Sequence, residues 1–250
     1  MIILLLHKRS ILFFFGGILF IGISFGVYQL AAHPEMQNWV QKKLVITHIK
    51  TDKKVAALTF DDGPDPDTTP LVLDALKKHD AKATFFVMGK RAEEHPDILQ
   101  RIAAEGHEIG NHSYSHAHYK KYNDKKFLLD EIRRTNRIIY SITAQHPQYF
   151  RPPGGYLSYD LIDISKEEGL TIAYWTSIQD SKDWVEGKSA ERIAAYVIKH
   201  IRPGQIILLH DGCSNGHQTA RAVDLILEEL KQEGYSFVSF SELMNLEKSE

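Results

Sequence analysis

The sequence predicts an α/β domain, a parallel sheet flanked by helices, preceded by one membrane-spanning helix. Three observations carry this. An uncharged apolar run lies within the first 32 residues of a 250-residue chain. From Val55 onward, short apolar runs of strand length alternate with longer segments of helical period. Asp, His, Arg and Trp gather just after the apolar runs instead of scattering over the chain. Strand then helix, repeated about seven times, implies a parallel sheet, and closing it gives a relative of the (β/α)8 barrel with one unit missing or distorted.

Ile11 to Ala32 is 22 residues without a charge, enough for a helix to cross a bilayer. His7-Lys8-Arg9 precedes it, and positive charge on that short flank favours a cytoplasmic N-terminus with the rest of the chain outside. A cleaved signal peptide, which would make the protein secreted, is the competitor. The run is longer than a signal core of roughly 7–15 residues, and Leu30-Ala31-Ala32 has a large residue where cleavage prefers a small one. Residues 1–32 are therefore expected to be an uncleaved signal anchor. Residues 33–53 are polar and without a strong period, and read as a stalk. The catalytic domain is expected over 54–245.

Hydrophobic residues make up 43% and charged residues 25% of the chain, ordinary values for a packed domain. The formal net charge is −2, without the basic surplus of a nucleic-acid binder. A weakly charged substrate such as a sugar polymer fits this balance. The single cysteine, Cys213, excludes an intramolecular disulfide.

Strands are expected at 55–60, 83–87, 108–110, 148–150, 171–175, 205–209 and 236–240. Leu128, Ile132, Thr135, Ile139 and Ile142 recur at three- and four-residue steps, as do Ala220, Val223, Leu227 and Leu230, and Ile193, Val197 and Ile201. Each set marks a helix with one buried stripe. The first strand runs into Asp61-Asp62-Gly63-Pro64, the third into Asn111-His112-Ser113-Tyr114-Ser115-His116, and the fourth into Arg151-Pro152-Pro153-Gly154-Gly155. The fifth leads to Asp180-Ser181-Lys182-Asp183-Trp184 and the sixth into His210-Asp211. In a parallel barrel all strand C-termini open on one face, so these clusters converge on one mouth.

His112 and His116 are four apart, and on a helical turn both imidazoles project from one side. With Asp62 they make a two-His, one-Asp metal site with open positions. The same ligand set describes non-haem iron oxygenases, so the ligands alone leave the reaction open. Asp61 and Asp62 repel one another unless a cation neutralises one, so coordinating it is a natural task for one and leaves the other free as a general base. Arg151, stiffened by the following prolines, is placed to orient Asp61 by paired hydrogen bonds. Gly154 and Gly155 let the backbone come close to a ligand and present an N–H to an oxyanion. His210 is the candidate general acid and Asp183 the residue that fixes its tautomer.

These stretches, Thr59-Phe60-Asp61-Asp62-Gly63-Pro64, His112 to His116, Arg151 to Gly155, Asp180 to Trp184 and Leu208-Leu209-His210, resemble the polysaccharide deacetylases with the NodB homology domain, carbohydrate esterase family 4. They stand in the family's order over most of residues 53–240. The resemblance implies a distorted (β/α)7 barrel, a divalent metal (zinc first, with cobalt, nickel or manganese also admissible) and removal of acetyl groups from N-acetylated sugars. It implies Asp61 as base, Asp62, His112 and His116 as metal ligands, Arg151 as the tether of Asp61, and Asp183 as the partner of His210, the acid. It also implies Trp184 and Leu208 as the lining of the pocket for the acetyl methyl. The family often has an aromatic residue where this chain has Gly154. For an anchored, outward-facing enzyme the expected substrate is peptidoglycan, at N-acetylglucosamine or N-acetylmuramic acid. Chitooligosaccharides, an exopolysaccharide, or glycan binding without catalysis are the alternatives.

Overall fold

The computed structural model describes residues 35–117 and 124–247. The expected anchor over 1–32 lies outside the described residues, and none of the helices within them is long and apolar enough to cross a membrane. Up to Lys43 the described chain holds one short helix, Met36–Gln41. Residues from Leu44 onward form a separate compact unit.

That unit is a curled parallel sheet with helices on its outside. Its strands are β1 (Val45–Ile46), β2 (Val55–Asp61), β3 (Ala83–Val87), β4 (Glu108–Asn111), β5 (Tyr149–Phe150), β6 (Thr171–Ala173), β7 (Ile206–His210) and β8 (Ser236–Phe237). Their order is β1-β6-β5-β4-β3-β2-β7, with β8 beside the start of β2, and every ladder is parallel. The edges β1 and β7 are joined by isolated bonds instead of a ladder: an antiparallel bridge between His48 and Gln205, and Ile49 N donating to Gly204 O at 2.9 Å. The result is a half-barrel with a seam.

Successive side chains of a strand point to opposite faces, and β2 shows what each face does. Ala56, Leu58 and Phe60 pack beneath the helices Thr69–Lys78, Pro96–Ala104, Ala190–His200 and Gly216–Gln232. Val55 and Ala57 face a second core with Phe86, Ile206 and Phe240. Thr59 and Asp61 continue this inner series towards the strand end. The helices exist because their apolar stripes have somewhere to go: Val72, Leu73 and Leu76 on one, Val223, Ile226, Leu227 and Leu230 on another, all fully buried. Each such side chain stabilises the fold by roughly 1.5–3 kcal/mol. Asp124, Ser158 and Ser189 each cap a helix by accepting a backbone N–H.

The N-terminal end of the half-barrel is floored by the helix Phe240–Met244. Phe240 N donates to Thr84 Oγ1 at 2.8 Å, Ser241 N to Glu108 Oε2 at 3.1 Å, and the Phe240 ring lies 4.6 Å from that of Tyr149. The chemistry is thereby confined to the other end.

The strands expected from the sequence all form, several shortened at an end. The stalk boundary needs correction. Val45 and Ile46 pair with Ile172 and Ala173 of β6, and Ile49 is 2% exposed, so residues 44–53 belong to the folded unit. A two-residue Val-Ile strand is too short to show a period, and only β6 gives it a place.

Candidate active site

The C-terminal ends of β2, β4, β5 and β7 bring the expected residues together on the inner face. Asp61 ends β2 and is the register partner of His210, which ends β7. In a continuing strand Asp62 would point to the opposite face. Its φ of 75° turns it back, so both carboxylates enter the mouth. Asp62 Oδ1 lies 3.4 Å from His112 Nε2 and 3.2 Å from His116 Nε2, and Asp61 Oδ2 lies 3.7 Å from His112 Nε2.

The two histidines do not ride on a helical turn. Residues 112–116 form a loop in which Ser113 and His116 have φ of 65° and 53°. The imidazoles still converge, with ring centroids 5.2 Å apart. Hydrogen bonds to the loop replace those of a helix. Asn111 Oδ1 accepts from Ser113 N at 2.8 Å, Ser113 Oγ accepts from His116 N at 3.1 Å, and Glu131 Oε2 accepts from Ser115 N at 2.8 Å.

The donor set fits a divalent cation. One ligand atom each from Asp62, His112 and His116 lies within 4.8 Å of the others. His112 Nδ1 is 2.8 Å from the Arg151 carbonyl, which can only accept, so Nδ1 carries a proton and Nε2 is free to turn a lone pair to the centre. Among the described residues Asp62 Oδ1 is buried without a hydrogen-bond partner, a costly state for a carboxylate oxygen unless a cation meets it. Burial disfavours the charged form of Asp62, but the nearby His112 imidazole, with His116 and His210 behind it, outweighs burial and holds the carboxyl far below the usual range. Burial likewise disfavours a charged His112, yet Asp61 and Asp62 reverse the balance and raise it. The carboxylates thus hold a positive charge at this spot.

Arg151 is completely buried and fixed on every side. Its Nη1 donates to Asp61 Oδ1 and to Thr59 Oγ1, both at 2.8 Å, its Nη2 to Tyr174 O at 2.9 Å, and its Nε to Ala173 O at 3.1 Å. The guanidinium stacks over the Phe86 ring at 4.1 Å. Thr59 in turn donates to Ile207 O at 2.7 Å, tying β2 to β7. One oxygen of Asp61 is therefore pinned and the other faces the histidines.

Asp183, fully buried, holds His210 twice: Oδ1 accepts from His210 Nδ1 at 2.9 Å and Oδ2 from His210 N at 2.7 Å. Thr219 Oγ1 donates to the same Oδ2 at 2.9 Å, and Asn215 Nδ2 to the Asp183 carbonyl at 2.8 Å. Burial pulls the His210 pKa down, but Asp183, and behind it Asp61 and Asp62, raise it to about 9. His210 is thus an acid at neutral pH. A folded pKa above the unfolded 6.5 means that the pair's stabilisation is complete below about pH 6.5 and lost as pH rises towards 9. Thermal denaturation between pH 6 and pH 10 should show a loss on the order of 3 kcal/mol in this window, and Asp183→Asn should flatten that part of the profile. An equally steep profile in the variant would place the pH dependence elsewhere.

The remaining expected residues fall around this centre. Gly154 is exposed with φ 60°, and a Cβ there would meet nothing within 4 Å. Gly155 is buried, and a Cβ there would strike the Tyr174 hydroxyl. Leu208 is 4% exposed on the same face of β7 as His210, while Trp184 is 47% exposed next to Asp183. Cys213 Sγ lies 3.5 Å from the His210 carbonyl, and burial pushes its thiol up to about 12, which makes it a poor nucleophile.

Sequence reasoning placed Thr59, Asn111 and Asp211 in its clusters without a role and did not single out Glu131, Asn215 and Thr219, yet all six hold this centre from behind. Asp211 is fully buried against Gly63, accepts from Thr69 Oγ1 at 2.5 Å, and is raised to about 7, chiefly by burial. For Glu131 a signal existed, a carboxylate inside the apolar stripe of Leu128, Ile132 and Thr135.

A half-barrel that gathers two acids, two histidines, a buried arginine and a raised-pKa histidine at its strand ends has the groups that metal-assisted hydrolysis needs, and comparison with known proteins gives the class: hydrolases that deacetylate polysaccharides. The polysaccharide deacetylase family model matches residues 48–173, and the chain belongs to that family. A peptidoglycan-N-acetylglucosamine deacetylase of Bacillus cereus is 40% identical over 200 residues, covering 80% of this chain and 92% of the relative. The crystal structure of the Bc1960 peptidoglycan N-acetylglucosamine deacetylase, in complex with 4-naphthalen-1-yl-N-oxidanyl-benzamide, superposes with a TM-score of 0.78 at 36% identity, covering 85% of this chain and 98% of that one. A family 4 acetyl xylan esterase from Clostridium thermocellum, solved with a cobalt ion, gives a TM-score of 0.72 at 39% identity over 77% of this chain and 91% of that one.

Proposed function

We propose that this chain is a divalent-metal-dependent N-deacetylase that removes acetyl groups from cell-wall glycan, with N-acetylglucosamine or N-acetylmuramic acid residues of peptidoglycan as its substrate. One observation carries the reading: the Asp62, His112 and His116 ligand atoms converge beside an Asp61 pinned by Arg151 and a His210 held by Asp183. The names of its relatives support peptidoglycan over other acetylated polymers. In this reading the half-barrel is the distorted (β/α)7 barrel of the family, residues 54–245 carry the catalytic machinery, and residues 1–32 anchor it facing outward at the cell membrane.

Asp62, His112 and His116 would hold the cation, and an N/O donor set of this kind suits zinc first, with cobalt, nickel or manganese as substitutes. When bound, the cation supplies Lewis acidity towards the acetamide oxygen and lowers the pKa of water. Asp61 takes the proton of the water whose oxygen bonds to the acetyl carbon. Gly154 would present its N–H to the oxyanion, with Trp184 and Leu208 around the acetyl methyl. His210 gives its proton to the sugar nitrogen as the C–N bond breaks, releasing acetate and a free amine.

Acetate release from N-acetylglucosamine oligomers and from peptidoglycan, with and without a chelator, tests the proposal. Chelation should abolish release and added zinc or cobalt should restore it. His116→Ala should lose bound metal and at least about 100-fold in rate. No acetate from any acetylated glycan with metal restored would sink the enzymatic reading, and undiminished release from metal-stripped protein would sink the metal.

A further inference from the structure

Glu131 lies on the helix Lys125–Thr143, away from the strand ends that carry the site. It sits in the helix face that packs inward and is 7% exposed. A carboxylate is almost never so buried unless paired. Among the described residues its carboxylate has one partner, Ser115. Oε2 accepts from Ser115 N at 2.8 Å and from Ser115 Oγ at 3.0 Å. Ser115 immediately precedes His116, whose φ of 53° is one that residues other than glycine seldom adopt.

The two histidines are secured unequally. His112 is 2% exposed and its Nδ1 is bonded to the Arg151 carbonyl. The preceding Asn111 is held by the same helix that carries Glu131: its Nδ2 donates to Ile132 O at 2.9 Å and to Asn136 Oδ1 at 2.7 Å. The His116 side chain is 33% exposed, so its aim at Asp62 Oδ1 depends on the path of its backbone. Ser113 Oγ fixes the His116 N–H, and Glu131 fixes the residue before it. Arg134 of the same helix stacks over Tyr114 at 3.5 Å, so among the described residues Glu131 is the helix contact nearest His116.

We infer that Glu131 is a positioning residue of the metal site, which sets the affinity for the cation by holding the loop that aims His116 at Asp62. The inference rests on the reading of Asp62, His112 and His116 as metal ligands. Outer-shell hydrogen bonds that orient ligands alter metal affinity by roughly 10–100-fold, and Glu131 acts at one remove from the imidazole, through Ser115.

The test is zinc affinity of the metal-stripped full-length chain, read by competition with a chromophoric chelator, together with the melting temperature of the metal-free protein. Glu131→Ala should weaken zinc binding by at least about tenfold. Glu131→Gln, which keeps an acceptor oxygen at the same reach, should recover most of the loss. Ser115→Ala deletes one donor without touching the helix, and should weaken binding about threefold. It keeps the inference testable if Glu131→Ala does not fold. A lowered metal-free melting temperature with unchanged zinc affinity in Glu131→Ala would make the residue merely structural and overturn the inference. So would a Gln variant as weak as the Ala variant, or Ser115→Ala binding as tightly as the parent. A parent chain that binds no zinc would instead remove the metal site on which the inference rests.

Discussion

Asp61→Asn is expected to lower kcat roughly 10³-fold while leaving bound metal close to the parent level. The amide matches the carboxylate in size and can still accept from Arg151 through one oxygen, the bond now made at 2.8 Å. It cannot take a proton from water. Asp62, His112 and His116 are untouched by the change, so metal content measured on the purified protein should stay near one equivalent while acetate release collapses. Asp62→Asn serves as the contrast, because it should lose metal and activity together. A variant at Asp61 that kept within tenfold of the parent rate would assign the proton to another group.

The largest effect on stability is expected at Arg151. Methionine at this position keeps length and apolar volume but removes the charge. Asp61 would then be a buried carboxylate without its guanidinium partner, and the carbonyls of Ala173 and Tyr174 would lose the Arg151 donors. Breaking one side of a buried ion pair costs about 3–5 kcal/mol. For a domain of this size that is a fall of about 10 °C in melting temperature. The combined change Arg151→Met with Asp61→Asn removes both charges and should regain part of that loss without regaining any activity. Stability that follows Arg151→Met down and returns with the second change identifies the charge pair as the cause. A loss under about 1 kcal/mol for the single variant would mean that the packing against Phe86 carries the position instead.

The convergence of the candidate site residues was more legible in the sequence than their mounting. Asp61, Asp62, Arg151 and His210 each follow an apolar run within a residue or two, so a parallel sheet alone predicts that they converge. The helical aim of His112 and His116 was wrong, although the four-residue spacing was informative. A loop with two left-handed residues brings the rings together as well as a helical turn does. What could not be read were bonds that join distant segments. Thr59 to Arg151, Thr219 to Asp183 and Ser115 to Glu131 each span stretches that no local pattern connects. β1 was hidden for the same reason, since a Val-Ile pair becomes a strand only beside β6.

The parallel course of β1 has a mechanical meaning. The chain enters the sheet at the floored end, where Phe240 and Ser241 meet Thr84 and Glu108, and the carboxylates and histidines open at the other. A leash attached ahead of Leu44, as the proposed anchor would be, therefore pulls on the end that does no chemistry. Tension along it would load the Val45–Ile172 and Ile46–Ala173 pairings of β1 before it reached any residue of the mouth.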